Sequence, residues 1–208
     1  MKYYLFNPTG NITALIEDGN ASEIMKMEPN CEQAGYIGKK AGADISLSMA
    51  GGEFCGNATM CAAYLTGKTD VKVHVEGTGI VNVRINGNTG EVEMPEVREI
   101  TTLNGYPLVR FKGIDHVIIE DDLDSSLIEK WCIGEAMGFM YLNGNNLKPL
   151  VYVKSIQTLF YENSCASGTA AVGEYLKRKV SLNNPAGVLE YDKGILKGSV
   201  ELIKKVEK

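Results

Sequence analysis

Two cysteines in this chain stand where a thiol can serve as an acid or a base. Cys55 opens "CGNATMCAAYL" and Cys165 opens "CASGTAAVGEYL". Each is followed by small residues, by a threonine four positions on (Thr59, Thr169) and by a Tyr-Leu pair near the end of a helical run. Both sulfurs are therefore expected at or just before a helix N-terminus, where the first amides lack intrahelical acceptors and the peptide dipoles add up to about half a positive charge. That setting draws a thiol with an ordinary pKa of about 8.5 toward the thiolate. Gly56, Asn57, Ala166 and Ser167 are small enough to let a ligand reach the same free amides, which hold an anion such as a carboxylate best. If the two helix starts face each other, a carboxylate gripped by both puts its neighbouring carbon between two sulfurs. One thiolate then removes the α-hydrogen while the opposite thiol protonates the other face, which inverts the stereocentre. The amides also stabilise charge as it spreads from carbon to oxygen. The scheme calls for no cofactor and no metal. Packing is the competing explanation, because free cysteines are often small buried apolar residues; Cys31, Cys61 and Cys132 are read that way.

The two cysteine runs lie about half the chain apart, and a repeat on that scale predicts two similar α/β halves rather than a solenoid. Residues 1–97 read as the first half, with Cys55, and residues 98–208 as the second, with Cys165. In the first, strand-like runs at 3–7, 12–17, 34–38, 45–49, 71–77, 80–87 and 90–95 surround a helix at 57–66 that ends at Gly67. In the second, strands are expected at 116–120, 138–143 and 149–155, helices within 125–137 and at 166–179, and closing strands in "VLEYDKG" and "GSVELIKKV".

Bulk properties narrow the function. A chain of 208 residues with 44% hydrophobic and 23% charged residues has the composition of an ordinary globular protein. The net charge of −5 and the scattered basic residues argue against a nucleic-acid partner. "YLKRK" (175–179) reads as the solvated last turn of a helix. No run of 18 apolar residues and no signal-peptide core is present, so a cytoplasmic protein without a membrane partner is expected. Five cysteines at irregular spacing, without paired CxxC, fit a reduced compartment and neither a disulfide framework nor a zinc site.

"FCGNATM" and "SCASGTAA" resemble the two catalytic cysteine motifs of the diaminopimelate epimerase superfamily of cofactor-independent racemases and epimerases. The combination of "NPTGN", "CEQAGYI", "GGEFCGNATM", "EVEMP", "KPLVYV", "IQTLFYENSCASGTAA" and "NPAG" is similar in sequence and order to the histidine racemases of staphylopine-type metallophore pathways. The resemblance implies Cys55 and Cys165 as the acid/base pair, amides of Gly56, Asn57, Ala166 and Ser167 on the α-carboxylate, and Asn11 and Gln33 lining the pocket. It also implies two pseudo-symmetric halves, each a curved mixed sheet wrapped around a central helix, with the last strand returning to the first half. Glu32 is read either as an acceptor for an imidazole N–H or as a surface acid. Glu162 is read either as the partner of the substrate's ammonium or as a helix cap.

Departures matter too. Ile156 and Gln157 stand where diaminopimelate epimerases carry a Glu-Arg pair, so a diaminopimelate substrate is disfavoured. "GIDH" (113–116) replaces an Asn-Pro-His turn, and His116 is expected to make a structural hydrogen bond at a strand start. The chain is shorter than the racemases it resembles, mainly between 97 and 140 and at the C-terminus, which trims loops that close the pocket. The reading is thus an amino-acid racemase favouring histidine, with a homodimer as one option for its assembly. Its rivals are a racemase or epimerase for another amino acid, including diaminopimelate or hydroxyproline, and a catalytically silent amino-acid-binding protein of the same fold.

Overall fold

The computed structural model describes residues 1–121, 128–132, 134, 136–155 and 157–207. Part of the helix expected within 125–137, and Ile156, lie outside the described residues. The first elements are strands β1 (Lys2–Asn7) and β2 (Thr13–Asp18), helix α1 (Ala21–Met27), strands β3 (Gln33–Gly38) and β4 (Ile45–Met49), helix α2 (Gly56–Leu65), and strands β5 (Asp70–Val75), β6 (Gly79–Asn86) and β7 (Thr89–Glu93). There follow β8 (Glu99–Leu103), β9 (Tyr106–Arg110), β10 (Asp115–Ile119), α3 (Ile128–Trp131), β11 (Ala136–Asn143), β12 (Asn146–Val153), β13 (Thr158–Tyr161), α4 (Ala166–Leu176), β14 (Val180–Asn184), β15 (Gly187–Asp192), β16 (Ile195–Ser199) and β17 (Glu201–Glu207).

The strands form one mixed sheet system whose ladder pattern occurs twice. Along β1 to β7 the successive pairings run antiparallel, parallel, antiparallel, parallel, antiparallel, antiparallel. The series β9, β10, β11, β12, β14, β15, β16 repeats that order. The β7–β16 pair joins the two series, and β17 returns to pair with β1.

Each series closes on one helix. Residues Gly56 to Ala63 of α2 and Ala166 to Gly173 of α4 are buried on every side, α2 against β2 to β7 and α4 against β9, β10, β11 and β14 to β16. Small residues make up half of α2 and most of α4, because strands packed around each helix leave little room for larger side chains. At Gly173 an added Cβ would lie 2.3 Å from the Tyr191 ring. The outer sheet faces are covered separately: α1 packs Ile24 over Tyr3, Leu5, Ala14 and Ile16, and Ile128 of α3 packs with Val117, Ile119 and Phe139. This is why burial runs unbroken through Thr13–Ile16 of β2 and all of β10 instead of alternating.

The structure departs from expectation in several elements. Helix α1, capped by Asn20 Oδ1 on the Glu23 amide at 3.1 Å, and strands β8, β9, β13 and β14 were not foreseen. "GSVELIKKV" is broken at Val200, whose amide turns to the Asn88 carbonyl at 2.8 Å, so it supplies the end of β16 and all of β17. Helix α4 ends at Leu176 with Lys177 left-handed at φ 51°, so Lys177, Arg178 and Lys179 follow the helix instead of forming its last turn.

His116 also differs from its expected role. It is fully buried, and neither ring nitrogen has a hydrogen-bond partner among the described residues. Its ring meets Phe111 edge-on at 6.2 Å. Burial pulls its pKa from 6.5 down to about 3, so the native state holds it neutral while the unfolded chain protonates it near its ordinary value. Stability from this group is complete above about pH 6.5 and is lost as pH falls toward about 3. Between pH 7 and pH 4 the wild type should lose on the order of 3 kcal/mol that His116→Leu does not lose. Urea unfolding of both proteins at the two pH values checks this; parallel losses would refute it.

Candidate active site

The two cysteines occupy equivalent N-cap positions. Cys55 (φ −128°, ψ 110°) and Cys165 (φ −123°, ψ 108°) are both extended, and each sulfur accepts from the amide three residues on, Ala58 at 3.3 Å and Gly168 at 3.4 Å. The threonine echo has a structural cause: Thr59 Oγ1 and Thr169 Oγ1 donate to the Cys55 and Cys165 carbonyls at 2.7 and 2.9 Å. The helix starts abut, since a Cβ on Gly56 would lie 2.9 Å from Ala166 Cβ. They are tied through the Ser164 carbonyl, which accepts from Asn11 Nδ2 at 2.9 Å and Asn57 Nδ2 at 3.1 Å.

A cavity of about 300 Å³ opens at this junction, and both cysteines line it with Asn11, Glu32, Gln33, Gly56, Asn57, Glu162, Ala166 and Ser167. Every site residue expected from the sequence thus reaches one cavity. Gln33 holds the first thiol: its Oε1 accepts from Cys55 Sγ at 3.2 Å while its Nε2 donates to Thr13 Oγ1 at 2.9 Å. Glu32 has both oxygens engaged by Asn163, one by the backbone amide at 3.0 Å and the other by Nδ2. It therefore also braces the segment leading to Cys165. Glu162 is buried, and its carboxyl feels the neighbouring Cys165 and Asn11 side chains. It is not the cap of α4, a place taken by the Cys165 sulfur.

The electrostatics correct one sequence expectation. Burial, as the largest cause, pushes Cys55 up to about 12, reinforced by Glu162 and Glu53, while the Ala58 amide and Gln33 act the other way. Cys165 is driven well above its ordinary value, first by burial and then by Glu162. The amide at each helix start does favour the thiolate, but desolvation and neighbouring carboxylates outweigh it. Both thiols are therefore held in the protonated form. Glu162 is itself raised to about 8, mainly by burial and then by Glu32 and Glu53.

Sequence reasoning missed part of the wall. Phe54, Ile114, Val151, Val153 and Phe160 give the cavity an apolar side, and Glu53 and Thr158 add polar atoms. Glu53 had a local signal, an acid two residues before Cys55. The β12 and β13 residues had none, because only the β12–β13 ladder brings them beside the first helix start.

No helix among the described residues is long and apolar enough to cross a membrane. A family model described as the histidine racemase CntK N-terminal domain matches residues 1–204. A histidine racemase of Fusobacterium nucleatum subsp. nucleatum is 36% identical, with 98% of this chain and 94% of that protein covered. Among solved structures, a probable proline racemase from Agrobacterium radiobacter K84 superposes with a TM-score of 0.66 at 9% identity, covering 100% of this chain and 92% of that one. A phenazine biosynthesis protein PhzF family structure from Enterococcus faecalis gives 0.64 at 15% identity, over 99% and 98%. At such identities the two structures speak for a shared sheet-dominated α/β fold.

Proposed function

We propose, because the chain belongs to the histidine racemase CntK N-terminal domain family, that it interconverts the L and D forms of a free amino acid, histidine foremost, with Cys55 and Cys165 as the two proton carriers and no cofactor. The observation that carries this reading is the pair of cysteine-capped helix starts opening on one cavity. The recurrence of the ladder pattern supports two pseudo-symmetric halves, divided near residue 97, that each present one of these helix starts.

The α-carboxylate is held by the first amides of α2 and α4, which have no intrahelical acceptors and lie at the positive ends of the helices. The ammonium is held by Glu162. Before substrate arrives, burial first and then Glu162 keep both sulfurs protonated, with Glu53 adding to the effect at Cys55. The substrate's ammonium opposes those carboxylates and favours loss of one thiol proton to solvent. The resulting thiolate takes the α-hydrogen, charge passes into the carboxylate under the helix-start amides, and the opposite thiol delivers its proton to the other face. The sulfurs end with their protonation states exchanged, which readies the site for the reverse enantiomer.

L-Histidine incubated in D2O with the protein should lose its α-proton NMR signal and yield D-histidine on chiral chromatography, approaching an equimolar mixture. Lysine, glutamate, proline and diaminopimelate run in parallel define the substrate. Histidine bound with its α-proton intact would instead identify a silent binding protein.

Glu162 gives a pH prediction. Below about 8 it is mainly neutral and offers the ammonium no counter-charge; above that it is a carboxylate. The kcat/KM for histidine should therefore rise as pH passes through about 8, and Glu162→Gln should lose that inflection together with about 10- to 100-fold of kcat/KM. An unchanged pH profile in the variant would remove Glu162 from the binding role.

A further inference from the structure

The helix-start amides, the two thiols and Glu162 account for the α-carbon and its charged substituents, and leave the substrate's side chain without a polar partner. Three buried polar atoms in the cavity wall have no hydrogen-bond partner among the described residues: Glu53 Oε2, Asn57 Oδ1 and Thr158 Oγ1. Asn57 belongs to the start of α2 and hence to the α-carbon end of the site. Glu53 and Thr158 do not.

These two residues are distant in sequence, and the fold brings them to one wall. Glu53 follows the turn after β4, where Gly51 leaves space for its carboxylate: a Cβ on Gly51 would lie 2.4 Å from Glu53 Oε2 and 2.8 Å from Val153 Cγ1. Val153 is in register opposite Thr158 in the β12–β13 ladder, and Ser155 Oγ fastens the turn by donating to the Gly51 carbonyl at 3.0 Å. The rest of this wall is apolar, and no Lys, Arg or His lines the cavity among the described residues. Of the three cavity carboxylates, Glu32 is occupied by Asn163 and Glu162 is in contact with Cys165 and Asn11. The Glu53 oxygen is the carboxylate acceptor left unmet. A buried acceptor without a donor is costly, and a ligand N–H removes that cost.

We propose that Glu53 and Thr158 form the side-chain subsite, and that this subsite selects a flat heteroaromatic side chain bearing a ring N–H over a side chain of the same size without one. Glu53 accepts from the ring nitrogen, Thr158 Oγ1 supplies the second polar contact, and the neighbouring apolar residues take the ring faces. This inference rests on the racemase reading for the α-carbon end. Burial also raises Glu53 above the usual carboxylate range, which a cationic ring would counter.

The test uses L-histidine and L-2-thienylalanine, whose ring is similar in size and lacks nitrogen. Affinity is measured by calorimetry and turnover by α-proton exchange in D2O, for the wild type, Glu53→Gln and Thr158→Val. The wild type should bind histidine at least about tenfold tighter than thienylalanine. Glu53→Gln should weaken histidine about 10- to 100-fold in Kd and change the Kd of thienylalanine by no more than about threefold. Thr158→Val should give the same pattern at about fivefold. Equal losses for both ligands, or no loss for histidine, would overturn the subsite. Should Glu53→Gln lack a cooperative thermal transition, Thr158→Val decides alone, and unchanged selectivity there overturns the proposal. Wild-type protein that binds histidine without exchanging its α-proton defeats the racemase reading, and the affinity comparison still decides the subsite.

Discussion

Alanine in place of Cys55, and separately in place of Cys165, is expected to lower histidine racemisation by at least about 10³-fold, because in the proposed mechanism each sulfur serves one face of the α-carbon and neither can serve both. The loss should appear in kcat as well as kcat/KM, since a proton carrier acts in the transition state more than in binding. Stability should hardly move for Cys55, which is partly open to the cavity; Cys165 is buried, and its loss costs about 1 kcal/mol. One variant should still exchange the α-proton of a single enantiomer without inverting it, which identifies the thiol that faces that enantiomer. Chiral chromatography and NMR in D2O on the same samples separate the two readouts. Either variant keeping more than about a tenth of wild-type racemisation would end the two-thiol mechanism.

The second large effect is steric. Gly56→Ala puts a methyl group 2.9 Å from the Ala166 methyl at the point where the helix starts meet, and neither group has a flexible end that can turn aside. Its φ is not in the left-handed region, so the strain comes from the contact and not from the backbone. Relief requires the two helix starts to separate by several tenths of an ångström, which moves the amides proposed to bind the carboxylate and the sulfurs together. An overpacked contact of this kind costs about 1–3 kcal/mol of stability, and misplacement of reacting groups on this scale costs on the order of 10²-fold in kcat/KM. Ala166→Gly in the same chain removes the opposing methyl group, and the double variant should recover most of both losses. A double variant as impaired as Gly56→Ala alone would show that the contact does not set the spacing.

The cysteines were legible because their surroundings are local. N-cap position, small following residues and the Thr59 and Thr169 hydroxyls all act within one helical turn, and that information lies in about five consecutive residues. The central helices and most strands of the first series were legible for the same reason. The strands β8, β9, β13 and β14 were not, since β8 is exposed and polar and β13 and β14 gain their identity only from their partners. The thiol protonation state was misjudged because it depends on desolvation and on Glu53 and Glu162, and both are products of the assembled cavity. Glu32 showed a similar limit: its nearness to Gln33 pointed to the pocket, yet its bonds to Asn163, remote in sequence, could come only from the fold.

The return of β17 to β1 has a kinetic consequence. Lys2 is in register with Glu207, and Thr9 bonds to Ser199, so β1 waits for a strand made about 200 residues later. At about 5–20 residues per second, β1 spends on the order of 10–40 s with one edge unpaired. Loop closure over such a separation makes this a late and slow step in folding. During that interval the nascent chain exposes a template for foreign strands, and the acidic and basic side chains of Lys2, Glu17 and Asp18 around it act as a temporary guard against misassembly.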